Sequence, residues 1–348
     1  MTAPASSVTD GSIVRRQRVL LLTDSLMAEH VAAGHPERPE RLAAAAGGVR
    51  SGATGAGALL TEAKPGPVSD ELLATVHDPN YVHALEVLAA SGGGWVDPDT
   101  YVGPGSMIAA RLAAGATVEA ATAVNRGEAE VAFAVVRPPG HHAGRRRASG
   151  FCLLNNVALA VEALRSGGVD RVAIVDWDVH HGNGTQDLFD EDPRVLYAST
   201  HQSPLYPGTG DAAERGSGAG FGTMHNRPLA PGSGDVEFEA AWRLELLPAI
   251  EALEPRAIIV SAGYDGHRDD PLAQLAITEA GYRSVATALG SLAGRLGLPG
   301  VALALEGGYD LDALAESVAA SVAGILAGLA SERPEAQPET RQGARFGQ

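Results

Sequence analysis

Two aspartates and two histidines close a short apolar run in Ile174-Val175-Asp176-Trp177-Asp178-Val179-His180-His181-Gly182-Asn183-Gly184. Burying so many ionisable groups is unfavourable unless they hold something, and carboxylates mixed with imidazoles suit a divalent metal. Asp178 and His180, joined by Asp265 from Ser261-Ala-Gly-Tyr-Asp, can form an Asp₂His set. Three protein ligands with a position left for water are the usual complement of a catalytic zinc ion. A second group, His141-His142, follows the stiff turn Arg137-Pro138-Pro139-Gly140. One imidazole there can act as a general base near neutral pH, while a neighbour of like charge helps to set its pKa. Taken singly, each motif also suits a solvated loop. Their placement along the chain decides between the two.

Short apolar runs bounded by turn residues read as buried strands: Val19–Leu22, Val131–Val136, Arg171–Val175, Arg194–Ser199, Ala257–Ser261 and Gly300–Leu305. Helical stretches alternate with them at Leu42–Val49, Ser69–Thr75, Tyr81–Ala90, Met107–Val124, Asn155–Arg165, Glu237–Leu253, Thr278–Leu296 and Asp310–Leu329. Alternating units of this kind predict one α/β domain of three layers, α/β/α, with a mainly parallel sheet. Ligands in such sheets bind beyond the carboxyl ends of the strands. Five of the runs lead there into His141-His142, Asp176 to His181, Ser199-Thr200-His201, Gly263-Tyr264-Asp265 and Glu306-Gly307-Gly308-Tyr309. That convergence carries more weight than any single motif.

Composition narrows the field. The 348 residues hold 26 Lys and Arg against 42 Asp and Glu, a formal net charge of −16, so no basic excess is present to displace counterions from nucleic acid. Direct nucleic-acid binding is not expected. The one cysteine, Cys152, rules out an intramolecular disulfide and a cysteine-based zinc cluster, and reads as a small buried hydrophobe. No apolar run reads as a membrane span and no signal-peptide core is legible, so a cytoplasmic location without membrane association is expected. Residues 1–16 read as a flexible arm, 17–330 as the catalytic domain and 331–348 as a disordered tail. A homo-oligomer is left open.

Arg137-Pro-Pro-Gly-His-His, Gly150-Phe-Cys, Asp176-x-Asp-x-His-His-Gly, Tyr206-Pro-Gly-Thr-Gly, Ser261-Ala-Gly-Tyr-Asp and Glu306-Gly-Gly-Tyr together resemble the zinc-dependent histone deacetylases. His35-Pro-Glu-Arg-Pro, Asn183 and Leu305-Glu-Gly-Gly-Tyr are most similar to the class II branch and its bacterial deacetylase-like amidohydrolases. The likeness runs from about His35 to about Leu326 and implies the arginase/deacetylase-like fold. It implies Asp178, His180 and Asp265 as zinc ligands, His142 as general base and acid, and His141 as its electrostatic partner. Asp176 and Asn183 would orient the two histidines, and Tyr309 would donate to the developing oxyanion. Gly150, Phe151, Tyr206 and Leu272 would line the substrate tunnel, with Asp99 as a carboxylate at its rim. Asp176, Asp178, His180, Ser199 and Thr200 resemble a first potassium site, and Phe189, Asp192 and Val195 fall near a second. Arg38 matches an arginine lining a pocket beneath the zinc.

The substrate implied is an acylated amine, most simply an acyl-lysine peptide or protein. An acetylpolyamine or other small amide is the alternative among enzymes, and a non-catalytic protein that only recognises acyl groups the alternative outside them. Relatives that act on polyamines carry a glutamate where this chain has Leu272, and some weakly active relatives carry histidine in place of Tyr309. Arg145-Arg146-Arg147, expected near the tunnel mouth, would favour an acidic substrate or disfavour a cationic one.

Overall fold

The computed structural model describes residues 16–332. Residues 1–15 of the expected arm and 333–348 of the expected tail lie outside the described residues. Eight strands form one sheet in the order β2-β1-β5-β10-β9-β6-β7-β8, and every pairing is parallel. The strands are β1 (Arg18–Leu22), β2 (Leu59–Ala63), β5 (Val131–Ala134), β6 (Val172–Asp176), β7 (Val195–Gln202), β8 (Met224–Leu229), β9 (Ala257–Ala262) and β10 (Val301–Leu305). All residues of β5, β6, β7 and β10 are buried, as expected when helices cover both faces of a parallel sheet. The fold is therefore α/β with a central parallel sheet and flanking helices, as the alternation predicts.

Two strands escape the sequence pattern. β2 is a mostly exposed edge strand, and β8 carries Pro228, which is tolerated because β8 is the opposite edge. A short antiparallel hairpin pairs β3 (Gly94–Trp95) with β4 (Tyr101–Val102). The helices are α1 (Glu40–Gly55), α2 (Asp70–Val76), α3 (Pro79–Ala90), α4 (Ser106–Asn125), α5 (Asn156–Ser166), α6 (Asn183–Phe189), α7 (Asp235–Ala241), α8 (Leu247–Leu253), α9 (Glu279–Arg295) and α10 (Leu311–Ser331). The single helix read at 237–253 is α7 and α8 joined through a wider π turn at Trp242–Leu246. α4 and α10 reach 20 and 21 residues and are apolar enough, by length and composition, to cross a membrane, contrary to the expectation that no apolar run reads as a membrane span. Both are largely buried against neighbouring elements.

Closeness of the helices depends on glycine. A Cβ on Gly48 of α1 would fall 2.8 Å from Val318 Cβ of α10 and closer still to the Ala315 carbonyl. Close packing at native density leaves no room there for a larger side chain. Gly48→Val is therefore expected to destabilise the protein by about 2–3 kcal/mol in urea unfolding; unchanged stability would contradict this helix contact.

Candidate active site

The carboxyl ends of β5, β6, β7, β9 and β10 face one side of the sheet, and the chemically active residues gather there. In register, Asp176 of β6 stands beside Ser199 of β7 and Ser261 of β9. Asp178, His180 and Asp265 place one donor atom each within 4.8 Å of one another. His180 Nδ1 lies 3.1 Å from Asp178 Oδ1 and 3.1 Å from Asp265 Oδ2. Donors bound tetrahedrally at about 2.0–2.1 Å from one ion stand about 3.3 Å apart, so this spacing fits a small divalent metal. Asp265 Oδ2 is buried and accepts no hydrogen bond, which leaves a lone pair facing the centre. Burial opposes charge on His180, but Asp178 and Asp265 outweigh it and raise the imidazole to about 10. The trio demands a positive charge. These residues are grouped so that they can hold a metal ion.

Backbone amides complete it. Asp178 Oδ2 accepts from Gly307 N at 2.7 Å, and Asp265 Oδ1 from Val179 N at 3.0 Å. Gly263 and Gly307 allow this approach, since a Cβ on either would run into the carboxylates. 

The paired histidines are buried and differ in charge. His141 Nδ1 lies 3.1 Å from Asp176 Oδ2, which also accepts from Tyr197 Oη at 2.9 Å. Burial disfavours its cation, yet Asp178, Asp176 and Glu306 raise it to about 10. His142 is pushed the other way, well below its ordinary value, by burial and then by the charges of His141 and His180. Its Nδ1 lies 2.9 Å from Asn183 Oδ1, an acceptor, so Nδ1 carries the proton and Nε2 keeps its lone pair. Gly150, at φ +54°, lets the chain pass over this ring: a Cβ there would fall 2.8 Å from His142 Cγ. The next residue, Phe151, holds φ at +69°, an uncommon conformation for a side chain of its size and of the sort found at functional sites.

Phe151 packs edge-on against His35 at 4.5 Å and against Tyr309 at 5.9 Å, and Tyr206 packs against His142 at 5.1 Å. A cavity of about 260 Å³ lies between them, lined also by Asp99, His141, Gly150, Asp178, His180, Leu205 and Leu272. Burial holds the Tyr309 phenol well above its ordinary value, against the pull of Arg41, so it stays a proton donor. Asp99 at the rim is raised by burial and by neighbouring Asp97.

All eight residues expected to form the zinc group, the histidine pair, its support and the Tyr309 donor meet here or touch one that does, as do the four tunnel residues and Asp99. Ser199 and Thr200 adjoin the site, but their hydroxyls are engaged by His201 at 2.9 Å and by Trp242 at 3.1 Å. Asp192 is paired with Arg165 and Arg194. Arg38 is exposed and is not the buried arginine. It precedes α1, whereas Arg41, inside the first turn, faces inward, donating to Gly308 O at 2.6 Å and to Glu306 O. Arg145, Arg146 and Arg147 do not line the cavity; they reach Val76 O, Asp78 and Asp187.

Residues without an expected role complete the frame. Glu306 accepts from Gly140 N at 2.6 Å and His141 N at 3.1 Å, fixing the turn that aims both imidazoles. Asp270 accepts from Tyr309 N at 2.6 Å and from Leu272 N at 3.0 Å, setting a donor and a wall together. Beneath the cavity, Glu37 is fully buried between Arg137, with Nη2 2.6 Å from Oε2, and Arg41, with Nη1 2.9 Å from Oε1. Glu37 and Arg137 stand inside quoted motifs, which was the available signal; Asp270 had none.

Residues 35–325 match the histone deacetylase domain. The chain belongs to the histone deacetylase family. It is 42% identical over 283 residues to a probable deacetylase of Archaeoglobus fulgidus, spanning 80% of this chain and 77% of that protein. Among solved structures, the HD domain of HDA15 aligns with a TM-score of 0.83 at 38% identity, covering 90% of each chain. An acetylpolyamine aminohydrolase from Burkholderia pseudomallei aligns with a TM-score of 0.78 at 31% identity, covering 89% of this chain and 99% of that one. Like other members of this family, it is a hydrolase acting on amide bonds.

Glu37 yields a test. Burial raises its pKa, but Arg137 and Arg41 overcome this and hold it at about 2, below the ordinary 4.5. Its ionised form therefore stabilises the fold fully above about pH 4.5, and that contribution is lost as pH falls through about 2. Glu37→Gln is expected to be less stable than wild type by about 3–5 kcal/mol at pH 7, because two arginines lose their partner. The gap should narrow between pH 4.5 and 2 in denaturant titrations; a gap independent of pH would contradict the assignment.

Proposed function

We propose that the chain removes an acetyl or short acyl group from an amine, with acyl-lysine as the preferred substrate type. One observation supports this above all: Asp178 and His180 of the Asp₂His group line the same cavity as a neutral His142 and a protonated Tyr309. Zn²⁺, held by Asp178, His180 and Asp265, would polarise the acyl carbonyl and acidify a water, two usual contributions of a catalytic metal.

The chain's own groups account for the remaining steps. His142 Nε2 takes a proton from water as the water oxygen attacks the acyl carbon. The Tyr309 phenol donates to the carbonyl oxygen as negative charge develops on it. His142 then returns a proton to the amine nitrogen as the C–N bond breaks, giving a carboxylic acid and a free amine. His141, held as a cation by Asp178 and Asp176, joins burial in keeping His142 neutral at rest, and Asn183 fixes the tautomer that presents Nε2. Phe151, Tyr206, Leu205 and Leu272 supply apolar walls for the acyl chain and the adjoining methylenes, while Asp99 offers an acceptor at the rim. A potassium ion near Asp176, Ser199 and Thr200 belongs to the same reading.

Acetylpolyamine is the second reading, favoured by the likeness to the Burkholderia aminohydrolase. The apolar Leu272 in the cavity lining speaks against it, because no carboxylate stands there to pair with a distant ammonium.

Purified protein assayed against acyl-lysine peptides and acetylated polyamines is expected to turn over the peptides with the higher kcat/KM. A preference for polyamines would reverse the order of the two readings. Tyr309→Phe should keep its fold and zinc content while losing about 10²–10³ in kcat, the usual loss for one oxyanion donor; near-normal turnover would remove Tyr309 from the reaction.

A further inference from the structure

His181 has no part in the steps above, yet its imidazole is buried and both nitrogens are engaged. Nδ1 lies 2.8 Å from Thr209 Oγ1, and Nε2 lies 3.0 Å from Gln186 Oε1. The directions of these bonds follow from chemistry. Gln186 Nε2 donates to the Glu214 carboxylate at 2.7 Å, which leaves Gln186 Oε1 as the accepting end. Asn226 Nδ2 donates to the same oxygen at 2.7 Å. His181 therefore carries its proton on Nε2, and the Thr209 hydroxyl donates to the lone pair on Nδ1.

Thr209 lies in the segment after β7 that also carries Leu205 and Tyr206, two walls of the cavity. Nearby contacts fasten the same segment. The Gly210 carbonyl accepts from His201 Nε2 at 2.9 Å, and the Gly210 and Asp211 amides donate to Glu214 Oε1 at 3.0 Å each. The backbone comes so close that a Cβ on Gly210, where φ is +90°, would fall 2.6 Å from the His181 ring. On its other side His181 is tied to α6 through Gln186, and α6 begins at Asn183, the partner of His142.

We infer that His181 is a positioning residue: through Thr209 it sets where the Tyr206 segment stands opposite His142. It touches no reacting atom. Loosening this bond lets the wall drift while the metal group and His142 keep their own supports, so substrate capture suffers more than the chemical step. The inference rests on the proposed function only in its kinetic readout.

Thr209→Val keeps the side chain's shape and removes the hydroxyl, leaving a buried lone pair on His181 without a donor. Thr209→Ser restores the hydroxyl. In the full chain, on whichever acyl-amine the wild type hydrolyses best, Thr209→Val is expected to raise KM about 5- to 30-fold with kcat within about threefold. Thr209→Ser should stay within about twofold of wild type in both constants. In limited trypsin digestion, cleavage after Arg215, exposed in the same segment, should be faster in Thr209→Val than in wild type or Thr209→Ser. Equal kinetics and equal cleavage in all three proteins would overturn the inference, as would equal defects in the Val and Ser variants. If the wild type hydrolysed no acyl-amine while cleavage still separated Val from Ser, the proposed function would fail and the role of His181 would stand.

Discussion

Four buried carboxylates, Asp176, Asp178, Asp265 and Glu306, share one end of the sheet, and the rest of the site answers the repulsion among them. Parallel strands bring them together because each strand ends at the same level and each polar loop begins there. Three kinds of positive or donating group offset the charge. Backbone amides of Gly140, His141, Val179 and Gly307 donate to it, His141 carries a proton against it, and the Asp₂His group is shaped for a cation. Glycines at 263 and 307 are what allow carboxylate and backbone to come so close.

The same charge divides labour between two adjacent imidazoles. His141 faces Asp176 and is held as a cation, and that cation together with burial keeps His142 neutral. Neither state follows from histidine itself, whose ordinary pKa lies between them. Asn183 adds the choice of nitrogen, and Tyr197, bonded to Asp176, holds the partner of the cation in place. A base with a free Nε2 and a phenol that keeps its proton then flank one cavity. The division is electrostatic, and it is set by neighbours rather than by the pair.

How much of this was legible follows from where the signal lies. Buried parallel strands are short uninterrupted apolar runs, so β5, β6, β9 and β10 stood out, whereas β2 is exposed and β8 contains proline, and neither shows that pattern. Aspartates and histidines clustered at strand ends are readable because they violate the apolar pattern at the place where ligands bind. Tyr197 does not violate it: an aromatic in a buried strand looks like core, and only the geometry reveals its hydroxyl on Asp176. Asp270 holds Tyr309 through backbone amides 39 residues away in sequence, a pairing that no local spacing encodes. The misplaced arginine has a similar cause. Arg38 and Arg41 are three residues apart in one motif region, and only the start of α1 determines which of them turns inward.

In the proposed reaction the Asp₂His group binds the metal on which amide hydrolysis depends. The most direct measurement is metal content against turnover of an acyl-amine substrate, in protein stripped with chelator and titrated with Zn²⁺. Turnover is expected to be lost with the metal and to return in proportion to the first equivalent of zinc per chain, and Asp265→Ala is expected to retain neither zinc nor turnover. Full turnover in metal-free protein, or stoichiometric zinc binding that persists in Asp265→Ala, would contradict it.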